Sequence, residues 1–432
     1  MPLRVLLTCK YLPPEAEGGG ALTVHALARA LVREGLEVTI LKARSETPSE
    51  GKEWDGLNVN ETEYRDRFDY RARGLPDFYG HLVAKAFNHR SYRRALQKLT
   101  GAHVFDLVHA QNHTTALAAA SLRSQNGLPL AATLRGHGLW CFVLGKALPD
   151  GTPCSGCITA NQIPCLSATS AVTPPTVIPK LASMKAWMRF QDRLARRIDL
   201  MLPISTMMAD EAKHYDRPIR IIPDLVADPG SAAGPLPEAA RRALADREPG
   251  QRVALYAGRL APNKGLDLVL EAAAERPEWR FVVAGDETRG EYPSLLHRRA
   301  DERGLTNIRF LGWISNAEMP AVYDAVDVVL LPFLRPEPLS RGMVEALSRG
   351  RPLAATAHGG PLDAVTDGKN GVLFHATVAG LVDALDRLSS SNLAAMGAES
   401  RRVFEERFHP DRVVRDHLDA YELLMKTTGR IS

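Results

Sequence analysis

Apolar runs of strand length alternate with amphipathic segments of helix length along the chain. The first run, residues 3–8 (LRVLLT), precedes a glycine-rich turn at 17–20, an amphipathic segment at 23–33 and a second apolar run at 38–41. Parallel strands need a crossover connection of this kind, which is usually a helix. The pattern therefore predicts a parallel α/β sheet, with ligand-binding loops after the carboxyl ends of its strands.

The same alternation continues in two blocks. In the first half of the chain, further buried strands are predicted at 105–110, 128–134 and 199–205. A stretch rich in proline, glycine and alanine at 223–237 interrupts the alternation and is typical of a linker. Beyond it, apolar runs predict a second set of strands at 252–258, 280–285, 308–313 and 327–332.

The length of the chain also favours two domains, because its 432 residues exceed the roughly 250–300 at which a single hydrophobic core stops growing. We predict an α/β fold with two Rossmann-like domains. The N-terminal domain is predicted at 1–224 and the C-terminal domain at 225–408. Residues 409–432 are predicted to form a helix that crosses back onto the first domain.

Composition and charge restrict the classes of function that we expect for this chain. Hydrophobic residues make up 45% of the chain and charged residues 24%, which is typical of a globular protein. Because 54 Lys and Arg nearly balance 50 Asp and Glu, the net charge is only +4 and no nucleic-acid partner is expected. The N-terminal apolar run is too short for a signal peptide, and no stretch reaches the ~18 apolar residues of a membrane span. We expect a cytoplasmic protein.

One segment is a candidate for contact with the inner face of a membrane. Residues 180–198 place apolar side chains at three-to-four spacing, and cationic side chains line the rest of the helix: Lys185, Arg189, Arg193 and Arg196. Such a helix either packs on its own domain with a solvated basic face, or it contacts a membrane surface or an anionic acceptor.

The first motif with a chemical signature is residues 258–265 (GRLAPNKG), where a predicted strand gives way to a helix. Backbone N–H groups and the helix dipole favour anions at such a helix start. Arg259 and Lys264 would therefore converge on a pyrophosphate. The alternative is that both are solvated surface residues.

The second motif is residues 337–345 (EPLSRGMVE), which again follows a predicted strand and opens a helix. The carboxylates of Glu337 and Glu345 would accept hydrogen bonds from vicinal hydroxyls of a sugar or ribose. The peptide N–H groups of Ser340, Arg341 and Gly342 would face the same phosphates. Alternatively, both glutamates merely complement the helix dipole.

Together the two motifs resemble those of glycosyltransferase family four, and the similarity extends to the segments around them (GWISNAEMPAVYDAVDVVLLP, AHGGPLDAVTDGKNGVLF and RFHPDRVVRDHLDAYELL). The resemblance implies a GT-B fold, in which two Rossmann-like domains face a central cleft. It also implies sugar transfer with retention of anomeric configuration. It implies that Arg259 and Lys264 bind the donor diphosphate, that Glu337 contacts the transferred sugar and that Glu345 contacts the ribose. Gly19 and Gly20 match the N-terminal glycine loop of the family, which approaches the phosphates from the opposite side.

One position departs from the family pattern. Members usually carry a histidine near the reacting end of the sugar, after the strand equivalent to residues 128–134, but this chain reads TLRGH at 133–137. Either Arg135 replaces that histidine or His137 supplies it, and we take His137 as the catalytic candidate. His109 and His113 lie nearby in the sequence, and His109, at a strand end, is the more typical of a structural histidine.

Four of the five cysteines fall within one region: Cys141, Cys154, Cys157 and Cys165. The section at about 139–166 is similar to a cysteine-bearing insertion in a subset of the family. Four thiols could close a structural tetrahedral zinc site, although buried thiols are the alternative, since only one Cys-x-x-Cys pair is present.

The resemblance implies a nucleoside-diphosphate sugar donor of the UDP or GDP type and a hydroxyl acceptor that is a glycan, a lipid-linked molecule or a small molecule. No metal is expected to be required for catalysis, because two cations and helix N–H groups would stabilise the leaving diphosphate. Bacterial envelope polysaccharide or glycolipid synthesis is the implied setting. A non-catalytic sugar-nucleotide-binding or assembly protein is the alternative, motivated by Arg135. A nicotinamide-dependent oxidoreductase is disfavoured because GGG at 18–20 lacks the spaced glycine fingerprint.

Overall fold

The computed structural model describes residues 2–13, 18–44, 56–64, 77–142, 154, 156, 159–167, 174–228, 230, 234–286 and 290–430. The chain divides into two compact units. Unit 1 comprises Met1–Leu225 together with Val413–Ser432, and unit 2 comprises Val226–Arg412. No described helix is both long and apolar enough to span a bilayer.

The described part of unit 1 contains a six-stranded sheet in the order β3-β2-β1-β4-β5-β6, in which all neighbouring strands are parallel. Its strands are β1 (Arg4–Thr8), β2 (Glu37–Ala43), β3 (Asn58–Thr62), β4 (Leu107–Ala110), β5 (Leu130–Leu134) and β6 (Leu200–Pro203). Its helices are α1 (Gly19–Arg33), α2 (Asp77–Ala102), α3 (His113–Asn126), α4 (Thr159–Ser167), α5 (Pro174–Ala195) and α6 (Thr206–Ala212).

Unit 2 repeats this design with a second parallel sheet, in the order β12-β11-β10-β7-β8-β9. Its strands are β7 (Arg252–Ala257), β8 (Trp279–Ala284), β9 (Ile308–Gly312), β10 (Val328–Leu331), β11 (Leu353–Thr356) and β12 (Gly371–Phe374). Its helices are α7 (Glu238–Ala245), α8 (Leu266–Glu275), α9 (Tyr292–Glu302), α10 (Met319–Asp324), α11 (Arg341–Ser348), α12 (Pro361–Ala364), α13 (Val378–Ser389) and α14 (Leu393–Arg407). Both strand orders are those of a Rossmann fold.

The predicted fold class, two Rossmann-like α/β domains, is confirmed. The sequence pattern missed β3, β11 and β12. Strand β3 reads NVNET and is an edge strand with mostly polar, partly exposed side chains, so it lacks an apolar run. Strands β11 and β12 are only four residues long and lie next to glycine and proline, which resemble turn signals.

The predicted basic helix corresponds to α5. Its apolar side packs inward, with Met184 and Leu194 almost fully buried, while Arg189 and Arg193 are exposed. This is the arrangement of a helix packed on its own domain with a solvated basic face. Contact of that face with a membrane stays a prediction.

The C-terminal helix, α15 (Pro410–Thr427), contributes to the core of unit 1, as the predicted crossing back requires. Its buried side chains join the core formed by β1, β2 and α1. The Tyr421 hydroxyl lies 2.7 Å from Nδ1 of the fully buried His109. The other ring nitrogen of His109 lies 2.8 Å from the Thr133 hydroxyl, so β4, β5 and α15 share one buried hydrogen-bond network.

Tyr421→Phe is expected to destabilise the protein by about 1–2 kcal/mol, because it leaves one nitrogen of the buried His109 ring without this partner. Chemical denaturation followed by circular dichroism measures the change. Glu422→Ala, on the exposed side of the same helix, is the matched control and should change stability by less than about 0.5 kcal/mol. Equal effects of the two substitutions would contradict the described packing of α15.

Candidate active site

The two sequence motifs lie at the centre of the unit 2 sheet. Strand β7 ends at Ala257 and precedes the first motif, and β10 ends at Leu331 and precedes the second. These strands are neighbours, and the strand order reverses between them. Ligands of open α/β sheets bind at the carboxyl ends of strands at such a switch point.

Gly265 allows the two loops to touch. Its φ is +77°, and a Cβ added there would lie 1.7 Å from the Pro332 carbonyl oxygen. The Leu334 N–H also donates to the Asn263 carbonyl at 3.1 Å. The residue before Gly265, Lys264, is therefore held against the segment that follows β10.

Lys264 and Glu337 form an ion pair across this contact. The Lys264 Nζ lies 2.8 Å from the Glu337 Oε2, and the Lys264 side chain is 9% exposed against 27% for Glu337. The same ammonium lies 4.9 Å from the centroid of the Phe333 ring. The structure thus brings together the cation of the first motif and the first acid of the second.

A third loop, after β11, holds the backbone of Glu337. The Gly360 N–H donates to the Glu337 carbonyl at 2.7 Å. A Cβ on Gly359, where φ is +71°, would lie 2.6 Å from the Glu337 carbonyl oxygen, and a Cβ on Gly360 would lie 2.2 Å from that of Pro338. The sequence-based predictions gave these glycines no role, although the Gly-Gly pair in the family-like segment AHGGPLDAVTDGKNGVLF was the available signal.

Arg259 stands apart from this pair. It is exposed, and its guanidinium has no hydrogen bond or ion pair within the described residues. Its backbone is fixed, because the buried Tyr256 hydroxyl donates to the Arg259 carbonyl at 2.7 Å. Burial raises the pKa of Tyr256, and the nearby Glu337 raises it further, so this hydroxyl keeps its proton. Arg259 is therefore an exposed cation on a loop whose backbone is held in place.

Glu345 lies on α11, one turn inside the helix. Its Oε1 accepts from Arg341 Nε at 2.7 Å, and its Oε2 accepts from the Tyr323 hydroxyl at 3.1 Å. Burial, followed by Glu345 itself, raises the pKa of Tyr323. Sequence analysis missed Tyr323, because its segment reads as ordinary amphipathic helix. Arg341 thus neutralises Glu345 in this structure.

Ser340 and Gly342 lie at the start of α11. Ser340 is the N-cap residue and makes no side-chain capping bond. A Cβ on Gly342 would lie 3.2 Å from the Tyr323 hydroxyl and 3.3 Å from the Ala257 carbonyl oxygen. The start of α11 therefore packs closely against the end of β7, and the expected role of its N–H groups in phosphate binding stays a prediction.

The histidine candidates lie at the carboxyl ends of β4 and β5 in unit 1. His137 is buried in a short 3-10 turn, and its Nδ1 lies 3.2 Å from Trp140 Nε1. His113 and His137 both line a cavity of about 210 Å³. His109 is fully buried in the network with Tyr421, which is a structural environment.

Arg135 also lines this cavity, but its charge is compensated. Its Nε lies 2.6 Å from the Asp224 Oδ1, and its other nitrogens donate to the carbonyl and side-chain oxygens of Gln111 at 2.7 and 2.8 Å. Arg135, one of the two alternatives for the family histidine position, is therefore held in place by Asp224 and Gln111. The catalytic role of His137 stays a prediction.

Gly19 and Gly20 are the first residues of α1. Gly20 is exposed, and a Cβ added there would meet nothing within 4 Å. The preceding residues, 14–17, lie outside the described part of the chain. The predicted contact of this loop with donor phosphates stays a prediction.

The cysteine region is only partly described. Cys141 is buried, the Cys154 thiol donates to the Gly156 carbonyl at 3.4 Å, and Cys165 lies in α4. Cys157 lies outside the described residues. Among those that are described, no group of three or more His, Cys, Asp or Glu could hold a metal. The zinc site, which needs Cys157, stays a prediction.

Two family models match the chain. Residues 18–224 match the glycosyl transferase 4-like domain, and residues 240–407 match glycosyl transferases group 1. The second match contains both motifs of unit 2, and the first contains the cavity of unit 1.

Curated relatives share part of the sequence. D-inositol 3-phosphate glycosyltransferase of Mycobacterium marinum is 37% identical over 171 residues, which are 39% of this chain and 36% of the relative. 2-Deoxystreptamine glucosyltransferase of Streptomyces kanamyceticus is 33% identical over 167 residues, 37% of this chain and 42% of the relative. The matches thus span well under half the length of these relatives.

Solved structures share the fold over nearly the whole chain. Sucrose-phosphate synthase from Thermosynechococcus elongatus matches with a TM-score of 0.71 at 18% identity, covering 98% of this chain and all of that one. Anabaena HepE in complex with UDP matches with a TM-score of 0.67 at 17% identity, with the same coverage. At this level of identity the likeness concerns the fold alone.

The Lys264–Glu337 pair is expected to stabilise unit 2 because it compensates a buried charge. In a double-mutant cycle with Lys264→Met and Glu337→Gln, the coupling free energy of unfolding should be about 1–2 kcal/mol. A matched cycle on the exposed pair Lys426–Glu422 should give about 0.5 kcal/mol or less. A coupling within error of zero at Lys264 and Glu337 would mean that the two side chains are not paired in solution.

Proposed function

Because the chain belongs to the group 1, GT4-like glycosyltransferases, we propose that it transfers a sugar from a nucleoside-diphosphate donor to a hydroxyl acceptor. The observation that carries this proposal is the meeting of Lys264 and Glu337 at the switch point of unit 2, with the exposed Arg259 on the same loop as Lys264. These are the residues to which the family resemblance gives donor binding.

The chemistry of the leaving group explains why cations are needed there. Breaking the bond between the anomeric carbon and the phosphate leaves a sugar with oxocarbenium character and a nucleoside diphosphate with additional negative charge. Fixed positive groups stabilise this charge most when they are oriented beforehand and shielded from water. Lys264, which is buried and held in place next to Gly265, meets this condition. Arg259 adds a second positive charge from the same loop, whose backbone is fixed by the Tyr256 hydroxyl. No metal is needed for this step.

The two glutamates supply hydrogen-bond acceptors. Glu337, already in contact with Lys264, accepts from hydroxyls of the transferred sugar, and the lysine is then shared between the carboxylate and the diphosphate. Glu345 accepts from the ribose, with Arg341 and Tyr323 setting its orientation. The N–H groups at the start of α11 add donors for the phosphates.

The stereochemical course is proposed to be retention. The acceptor hydroxyl attacks on the face from which the diphosphate leaves, and the departing phosphate takes the proton of that hydroxyl. We assign no general base among the residues of the chain. His137, at the cavity of unit 1, is proposed to contact the reacting end of the sugar.

The acceptor is a hydroxyl compound: a glycan, a lipid-linked molecule or a small molecule. The names of two relatives contain D-inositol 3-phosphate and 2-deoxystreptamine, which are small molecules with hydroxyl groups. A cytoplasmic enzyme of bacterial envelope polysaccharide or glycolipid synthesis fits the family, with α5 contacting the inner face of the membrane. The bound UDP of Anabaena HepE makes a uridine diphosphate sugar the first donor to test.

A protein that binds the donor without turnover is the second candidate, because Arg135, rather than histidine, follows β5 directly and is paired with Asp224. Slow donor hydrolysis separates the two functions. Release of UDP or GDP from a donor panel supports the transferase, whereas tight donor binding with no release, with or without acceptors, supports the binder.

Lys264→Ala is expected to lower kcat/KM for donor hydrolysis or transfer by about 10²–10³-fold, since it removes one preorganised donor to the leaving diphosphate. Arg259→Ala should act in the same direction. Lys369→Ala, an exposed lysine of the same unit, is the control and should retain wild-type activity. Steady-state assays of nucleoside diphosphate release measure these effects. Wild-type kinetics in Lys264→Ala would refute the proposed role.

A further inference from the structure

The turn that follows β5 has its main chain held by neighbouring segments of unit 1. Residues His137–Leu139 form this 3-10 turn and line the cavity of about 210 Å³. The Gly138 carbonyl accepts from the side-chain amide of Gln191 on α5 at 2.6 Å, and the Leu139 carbonyl accepts from the Tyr215 hydroxyl at 3.4 Å. Gln191 is fully buried and Tyr215 almost so. The turn is therefore a fixed support for the His137 ring.

Trp140, directly after the turn, contacts both the backbone and the ring of His137. Its backbone N–H donates to the His137 carbonyl at 3.1 Å. Its indole Nε1 lies 3.2 Å from His137 Nδ1, and the ring planes are inclined by 66°. Because an indole N–H can only donate a hydrogen bond, Nδ1 is the acceptor. In a neutral imidazole the proton then lies on the other nitrogen, Nε2.

The indole of Trp140 is itself held by aromatic packing. Its ring centroid lies 6.3 Å from that of His214 and 6.3 Å from that of Tyr215. Both residues belong to the short turn Lys213–Tyr215, which follows α6. The indole N–H is therefore placed by tertiary packing as well as by its closeness to His137 in the sequence.

We propose that Trp140 is a positioning residue for the transfer reaction: its indole N–H occupies His137 Nδ1, so that Nε2 donates a hydrogen bond to an oxygen of the sugar. This inference rests on the proposed glycosyltransferase function and adds the chemical role of His137. With its proton on Nε2, the imidazole is a donor to the ligand and does not take the proton of the acceptor hydroxyl. That proton goes to the departing phosphate.

Nitrogen NMR of the full-length protein tests the direction of this hydrogen bond. Long-range proton–nitrogen correlation spectra of histidine-labelled protein, recorded near neutral pH, show which ring nitrogen carries the proton. The His137 signals are identified by their absence in His137→Gln. We expect the proton on Nε2 in the wild type. This spectrum tests the position of the proton even if a variant at Trp140 does not fold.

Trp140→Phe keeps an aromatic ring and removes the N–H, so the chemical shift of His137 Nδ1 should move in this variant. Trp187→Phe is the matched control, because the buried Trp187 Nε1 has no hydrogen-bond partner within the described residues. The control should leave the Nδ1 shift unchanged.

Kinetics of donor hydrolysis and transfer test whether Trp140 acts through His137. Trp140→Phe should lower kcat by about tenfold, which corresponds to one hydrogen bond. The KM for the donor should stay within about twofold of wild type, because the proposed diphosphate contacts lie in unit 2. In a His137→Gln background the same substitution should change kcat by less than about twofold. Trp187→Phe should retain the wild-type kcat.

A proton on Nδ1, or on both nitrogens, in the wild type would overturn the inference. An Nδ1 shift that does not move in Trp140→Phe would also overturn it, as would an equal loss of kcat with and without His137, which would give Trp140 a merely structural role. Lys264-dependent hydrolysis with an unchanged Nδ1 shift removes only the role of Trp140. The expected spectra without any donor hydrolysis remove the transferase and confirm the hydrogen bond.

Discussion

The ammonium of Lys264, buried in the loop after β7 and held by the Glu337 carboxylate, is the interaction on which the site depends. Removing an ammonium from water costs several kcal/mol unless a partner lies in good geometry. That geometry requires the loops after β7, β10 and β11 to touch, which they do only because Gly265, Gly359 and Gly360 have no side chains. The three glycines thus allow the close loop packing that buries the Lys264 ammonium next to Glu337. In the proposed function, this buried ammonium also contacts the diphosphate.

Both units pair most of the charges near the carboxyl ends of their strands. In unit 2, Lys264 pairs with Glu337 and Arg341 pairs with Glu345 around the switch point, and Arg259 remains for the ligand. In unit 1, the guanidinium of Arg135 pairs with Asp224.

The sequence was sufficient to predict the fold class, because most buried parallel strands appear as apolar runs. It failed for β3, whose polar NVNET segment is held at the sheet edge by backbone pairing with β2. It also failed for β11 and β12, which are only four residues long. At the site, the sequence motifs identified Lys264 and Glu337 as site residues. The contact between these two side chains could not be predicted, because it depends on the conformation of the loops. Tyr256 and Tyr323 could not be found because each lies in an ordinary strand or helix pattern, and only tertiary packing gives it a role.

The most direct test of the account measures how much the diphosphate group contributes to the affinity of the protein for a nucleotide. Calorimetry would compare UDP with uridine, and GDP with guanosine, in the wild type, in Lys264→Met and in the control Lys369→Met. The account predicts that the diphosphate tightens binding of the preferred nucleoside by at least about 100-fold in the wild type and the control, and that this gain falls by about tenfold or more in Lys264→Met. An equal gain in all three proteins would contradict it.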